Sequence, residues 1–186
     1  EQNDNGLAAL GWHSEKTQTL RFLVLSLIAD LNGCSVLDIG SGRGDFYTYL
    51  KTHFSDVDYR GLDISEKMVQ YTKHRFEAAL FDQKNLFDLD LIDARDYVFA
   101  SGAFNLKVNH QIDYIEACMS RMFLLCKKGV AFNLLSASTP QTFQDQGYFY
   151  YYQPDQVLKL ALALTPYVEL KQSYLYNDFT LYLYRE

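Results

Sequence analysis

What the sequence lacks narrows it first. Its 3 cysteines, Cys34, Cys118 and Cys126, stand far apart and form no C-x-x-C pair. Buried thiols in a reducing compartment are therefore expected, not a disulfide framework or a zinc site. The four histidines, His13, His53, His74 and His110, have no ligand spacing, so no metal is expected. Basic excess is absent too: 17 Lys and Arg face 23 Asp and Glu, a net charge of −6. Nucleic-acid binders carry a basic footprint, so no nucleic-acid partner is expected. No apolar run reaches the roughly 18 residues of a membrane-spanning helix, and no membrane partner is expected. The opening Glu1-Gln2-Asn3-Asp4-Asn5 is polar and unlike a secretory leader. The first residue is not Met, which suggests a trimmed or processed chain. There is no internal repeat and no linker rich in Pro, Gly or Ser. A single domain over 1–186, located in the cytoplasm, is the expectation.

Aromatic residues, by contrast, are abundant: 15 Tyr and 13 Phe make up nearly all of a 16% share. Many of the Tyr lie in the last 40 residues. Strand packing accounts for them, with a pocket wall as the alternative.

One stretch organises the rest, Ser35-Val36-Leu37-Asp38-Ile39-Gly40-Ser41-Gly42-Arg43-Gly44-Asp45-Phe46. An apolar run ends in an acid, then in three glycines at alternating positions. A buried strand turning tightly into a helix has this pattern, and the helix start offers unpaired N–H groups to a ligand. Before it, Gly11 to Leu31 reads as a helix capped by Ser14 or Thr17 and stopped at Asn32-Gly33. Leu20, Leu23, Val24, Leu27, Ile28 and Leu31 form its apolar face, and Gln18 and Arg21 its polar one. After the turn, Phe46, Tyr47, Leu50 and Phe54 mark a second helix. Tyr59 to Ile64 is a strand ending in Asp63, and Ser65 caps the next helix.

Ala79 to Lys84 reads as a third strand closing at Asn85-Leu86, and Tyr97 to Ser101 as a fourth. Ile112 to Leu125 is a helix ended by Lys127-Lys128-Gly129. Val130 to Leu135 is a strand, and 136–152 a long aperiodic loop of the kind that carries function. Pro154 opens a helix over Asp155 to Leu164. Val168 to Tyr176 and Phe179 to Tyr184 form a closing hairpin across Asn177-Asp178. The alternation predicts an α/β fold: a doubly wound, mostly parallel sheet with one antiparallel strand near the C-terminus.

In such sheets ligands bind beyond the carboxyl ends of the strands. Gly40 and Asp63 are 23 positions apart, close to the spacing that sets an acid on a ribose. The glycines run G-x-G-x-G, not the G-x-G-x-x-G of dinucleotide binders, and Asp45 follows at once. Asp38 and Asp45 would repel a pyrophosphate but suit a cationic, phosphate-free nucleoside. S-adenosylmethionine has that chemistry.

Val36 to Asp45 resembles the first motif of the class I S-adenosylmethionine-dependent methyltransferases, and Gly61-Leu62-Asp63-Ile64-Ser65 resembles their second. Tyr97 to Gly102 is similar to the strand that ends beside the transferred methyl, and the closing hairpin matches the last strands of that seven-stranded fold. The resemblance spans roughly Gly11 to Tyr184. It implies that Asp38, Gly40, Ser41 and Gly42 hold the methionine part and Asp63 the ribose. Ile64 would lie on the adenine, with Asn85 and Leu86 at its edge; Asp82 replaces Asn85 if the strand register shifts. Ser101 would stand near the sulfonium. Gly11-Trp12-His13-Ser14 with Gln18 and Arg21 resembles the lead-in helix of small bacterial members, where Arg21 meets the cofactor carboxylate or is simply solvated.

The acceptor is less legible. The Asn/Asp-Pro-Pro-Tyr run of enzymes acting on base amines and glutamine is missing; Ser101-Gly102-Ala103-Phe104-Asn105 stands there. A small-molecule acceptor is expected, with Asn105, Tyr148 and Tyr150 as acceptor-side candidates. Phe143, Phe149 and Tyr151 belong to the same loop wall. A methyltransferase-like binding or scaffold protein and a protein methyltransferase are the alternatives.

Overall fold

The computed structural model describes residues 15–76, 80–144 and 147–186. The expected Gly11–Ser14 lead-in, the Ser14 cap and Ala79 lie outside them. Seven strands are described: β1 (Ser35–Ile39), β2 (Asp58–Asp63), β3 (Phe81–Gln83), β4 (Arg95–Ser101), β5 (Cys126–Leu135), β6 (Val168–Lys171) and β7 (Asp178–Tyr184). They form one sheet in the order β3-β2-β1-β4-β5-β7-β6. Neighbours from β3 through β5 pair in parallel, whereas β7 runs antiparallel to both β5 and β6. The expected doubly wound sheet with one antiparallel strand is thus the observed one. The strand order reverses between β1 and β4, and the glycine turn leaves β1 at that switch point.

The helices are α1 (Glu15–Ser26), α2 (Asp45–His53), α3 (Glu66–Arg75), α4 (Gln111–Leu125) and α5 (Pro154–Leu162). Each face of the sheet has its own core. Val36, Phe99, Ala131 and Tyr182 meet Phe22, Leu25, Phe46 and Leu50 on one side. Leu37, Val98, Phe132 and Leu181 meet Ile115, Met119, Met122 and Val157 on the other. Strands buried on both faces read as continuous apolar runs, as these do.

The first helix departs from expectation. Thr17 lies inside it, and the helix ends at Ser26, not Leu31. The Ser26 hydroxyl donates to the Leu23 carbonyl, Leu27 N–H is shared between Leu23 and Val24, and the chain tightens into turns. The helix is also rolled relative to its apolar stripe. Leu23 and Leu27 are 45% and 62% exposed, while Gln18 and Arg21 are buried with Phe22, Val24 and Leu25. Partners on β7 and at the start of α2 explain the roll. Arg21 sets Nε and Nη2 2.7 and 2.5 Å from one Asp178 oxygen, and Gln18 donates to Asp45 at 3.5 Å.

Three other boundaries move. The third strand keeps only Phe81–Gln83 of its expected range. Lys127, Lys128 and Gly129 do not end a helix but belong to β5, which starts at Cys126 directly after α4. Asp178 is the first residue of β7, not a turn residue, so the hairpin link is 172–177. Arg95 and Tyr97 of β4 pair with Cys126 and Gly129 across an irregularity, which draws β5 back toward the helix.

Breaking a buried ion pair leaves an uncompensated charge. Asp178→Ala is expected to cost about 3–5 kcal/mol in urea unfolding, and the double change Arg21→Met with Asp178→Leu to recover most of it. A loss below about 1 kcal/mol for Asp178→Ala would show that the pair does not hold α1 to the sheet.

Candidate active site at the carboxyl edge of the sheet

The sheet register brings Asp38 beside Gly61 and Ile39 beside Leu62, so the ends of β1 and β2 lie level. The glycine turn then crosses β2: Ser41 N–H donates to the Leu62 carbonyl at 2.8 Å. Gly40 has φ 71°, and a Cβ there would stand 2.6 Å from that of Ala103 in the turn after β4. Any larger residue would push the two turns apart.

Asp63 ties the motifs together. One carboxylate oxygen accepts Gly42 N–H at 2.9 Å, and the other accepts Ser65 N–H at 2.8 Å. Ser65 in turn caps α3 by accepting Met68 N–H at 3.4 Å. Each Asp63 oxygen keeps a second lone pair, so it can still accept from the two hydroxyls of a ribose. Ile64, directly beyond, is 73% exposed, an apolar surface with little protein against it.

The other two acids behave differently from Asp63. Asp38 is 1% exposed and accepts the Tyr59 hydroxyl at 2.6 Å. Burial pushes its carboxyl up to about 7, against the Tyr59 hydrogen bond and with help from the Asp63 charge. Burial, then the Asp38 charge, likewise raises the Tyr59 hydroxyl well above its ordinary value. Asp38, expected on the cofactor, is enclosed here and braces β1 against β2 through Tyr59. Asp45 is paired with Arg75 at 2.8 Å, so its charge is largely compensated. The acidity of the turn rests on Asp63, not on all three acids.

The third strand's end is resolved in part. Asp82 pairs with Arg60 at 2.9 Å, and Arg60 also holds Asp93 at 2.5 Å. Asn85 is exposed and its side chain accepts Phe87 N–H at 3.0 Å, capping a 3-10 turn over Leu86–Asp88. Leu86 itself is buried in the core, so its side chain does not line an adenine edge as expected. Phe87, 47% exposed, stands beside it instead.

Across the switch point, Gly102 has φ 68° and donates its N–H to Asn133 Oδ1 at 2.7 Å. Ser101 precedes it, level with Asn133 of β5. The Ser101 hydroxyl and the Asn133 amide nitrogen are buried and hydrogen-bonded to nothing. Asn133 was overlooked in the sequence, although a lone amide inside Val130 to Leu135 was its signal: a buried polar group in an apolar strand needs a reason.

Of the acceptor-side candidates, Asn105 is the exception. It is buried, its amide oxygen accepts Leu135 N–H at 3.0 Å, and its carbonyl accepts Tyr150 N–H at 2.8 Å. It ties two loops together and presents no side chain to an acceptor. Those loops pair again at Leu106 and Phe149, and Lys107 N–H donates to the Tyr148 carbonyl. Tyr148 at 75% and Leu106 at 59% exposure stand at the tip. Tyr150 is half-buried, its ring 4.8 Å from that of Tyr152. Tyr152 is fully buried; its hydroxyl donates to the Phe104 carbonyl at 2.7 Å and accepts from Gln111. The tyrosines are therefore divided: Tyr152 and Tyr182 fill the cores, while Tyr148 and Tyr176 lie at the surface.

A family model described as a methyltransferase domain matches residues 30–172, more than half of the chain. The chain belongs to the methyltransferase domain family. A curated relative agrees: Rv1506c of Mycobacterium tuberculosis, provisionally named a methyltransferase, is 30% identical over 122 residues, covering 62% of this chain and 72% of its own. Among solved structures, magnesium protoporphyrin IX methyltransferase of Synechocystis, with bound S-adenosylhomocysteine, superposes with a TM-score of 0.72. It is 17% identical and covers all of this chain and 88% of its own. The plantazolicin methyltransferase BpumL also reaches 0.72, at 14% identity over 97% and 88% of the two chains. At such identities these neighbours speak for the fold. The architecture of this methyltransferase-domain protein is that of the class I enzymes.

The raised Asp38 carboxyl makes a prediction about stability. Between its unfolded value near 4 and its folded value near 7, the native state holds the extra proton. Stability therefore falls as pH rises through that window, and the penalty is complete above about 7. Asp38→Asn removes the penalty while leaving an acceptor for Tyr59. Its stability relative to the parent is expected to rise by roughly 2–4 kcal/mol between pH 4 and pH 8. Parallel pH curves in urea unfolding would assign the proton elsewhere.

Proposed function

We propose that this protein transfers the methyl group of S-adenosylmethionine to a small-molecule acceptor. The observation that carries the reading is the Asp63 carboxylate, which bridges the glycine turn and the start of α3 with exposed Ile64 at its side. That arrangement suits a nucleoside without phosphate: a ribose on the acid and a flat base on the isoleucine. Gly40, Ser41 and Gly42 would pack along the methionine part, which runs toward the end of β4 at Ser101. Asn85 is the adenine-edge candidate that remains open, since Asp82 is held by Arg60. Arg21 supports this end of the site through Asp178, not as a solvated side chain.

When bound, S-adenosylmethionine supplies an electrophilic methyl on a cationic sulfur. The chain's own task is alignment: holding an acceptor atom in line is worth several powers of ten in rate. The turns after β1 and β4 do this by locking against each other at Gly40 and Ala103. A general base is required only for an acceptor protonated at working pH. Tyr148 and Leu106, exposed on paired loops beside the carboxyl edge, form an apolar and aromatic wall for the acceptor. Both solved neighbours above are named for small-molecule acceptors, which favours the same class here. Among the described residues, no helix is long and apolar enough to cross a membrane.

Calorimetry is expected to show binding of S-adenosylmethionine and S-adenosylhomocysteine, with Asp63→Ala at least tenfold weaker in a folded variant. Binding of NADH without S-adenosylhomocysteine would overturn the reading. Labelled-methyl transfer to fractionated cell extract then separates the acceptors: label in small molecules supports the proposal, and label retained on protein overturns its acceptor.

A further inference from the structure

Two polar atoms near the site are hydrogen-bonded to nothing: the Ser101 hydroxyl and the Asn133 amide nitrogen. They occupy paired positions at the carboxyl ends of β4 and β5. Most buried polar atoms in folded proteins have a partner, and leaving one unmade is costly. Two such atoms at paired positions, at the edge where the fold binds its ligand, share one chemical need. Asn133 is 1% exposed, and its carbonyl oxygen is already committed to Gly102 N–H. Its NH2 group is the one without a partner, and that group can only donate. The guest must therefore offer an acceptor.

The surroundings narrow the guest further. Both residues lie on the face of the sheet covered by α1, with Phe99 and Ala131 below them in the core. Asn133 is level with Thr180 of β7, and Asp178 starts the same strand. Asp178 occupies Arg21, so the guanidinium is already engaged with an anion of the protein. Thr180 shares a hydrogen bond with Tyr174 at 2.9 Å. Ser101 and Asn133 are left with enclosed donors that have no partner.

We infer that Asn133 and Ser101 form a donor pair for the carboxylate at the amino-acid end of the cofactor. This rests on the S-adenosylmethionine reading above and extends it to a residue outside both glycine and ribose motifs. Asn133 acts at two points. Its oxygen fixes the Gly102 turn, and its nitrogen faces the guest. The turn that touches Gly40 through Ala103 is thus set by the same side chain that meets the carboxylate. Neutral donors suit this end because a second guanidinium there would lie against Arg21.

The test compares two probes that differ only at this end. S-adenosylhomocysteine carries the amino acid; 5′-methylthioadenosine shares the thioether nucleoside and lacks it. In Ser101→Ala, S-adenosylhomocysteine is expected to bind at least fivefold more weakly, with 5′-methylthioadenosine within twofold of the parent. The ligand-free variant is expected to melt no lower than the parent, because a costly unpaired hydroxyl is gone. Asn133→Asp keeps the acceptor for Gly102 and replaces the donor with an acid. Its loss is expected to reach at least thirtyfold, again only for S-adenosylhomocysteine. Unchanged affinity for both probes in both variants would show that the donors serve a buried water only. Equal weakening of both probes would show a structural role. Either result overturns the inference while leaving the cofactor reading standing. A parent protein that binds neither probe overturns both. Should Asn133→Asp not fold, Ser101→Ala decides alone.

Discussion

The site depends on one carboxylate satisfying two loops. Asp63 gathers the N–H of Gly42 and the N–H of Ser65. Charge-assisted bonds of this kind are roughly twice as strong as neutral ones. They fix the glycine turn over β2 and set the start of α3. The Ser65 hydroxyl adds its cap to α3, and Arg75 of that helix reaches back to the Arg43 carbonyl in the turn. The same charge raises the cost of ionising Asp38 behind it. The three acids of this edge are therefore placed differently: Asp63 is only partly buried, Asp38 is enclosed, and Asp45 is matched by Arg75.

The fold was legible because its signals were local and repeated. Apolar runs ending in Gly or Asp gave β1, β2 and β4, and Ser65 marked its helix start by its own chemistry. The pairing of Gly40 with Asp63 needed only spacing along the chain. What escaped was whatever depends on a partner far away in sequence. Nothing near Arg21 announces Asp178, 157 positions on, yet that partner turns α1 polar side inward. The same holds for Asn105, which reads as a turn residue until Leu135 is placed beside it. Leu86 looked like a loop residue at an adenine edge, but the 3-10 turn capped by Asn85 drives it into the core.

Helix α1 shows the cost of that blindness most clearly. Its leucines at 23 and 27 fit a helical stripe, but β7 and the start of α2 each offer an acid to the other side of the helix. The buried Arg21–Asp178 pair outweighs the stripe because an unmatched buried charge is worse than an exposed leucine. The helix that closes the cofactor end of the sheet is thereby held by ionic geometry. Hydrophobic packing at Phe22 and Leu25 supplies the rest.

The segment from Tyr148 to Tyr152 has a root and a tip of opposite character. At the root, Tyr152 is sealed in the core and joined to Phe104 and Gln111. At the tip, Tyr148 touches little but solvent. Exposed positions tolerate exchange at a cost of a few tenths of a kcal/mol, whereas a buried aromatic lost costs several. Selection can therefore rewrite the tip without disturbing the anchor. The segment is a fixed handle with an interchangeable end, and a lineage of such proteins can vary the surface it shows faster than the fold beneath it.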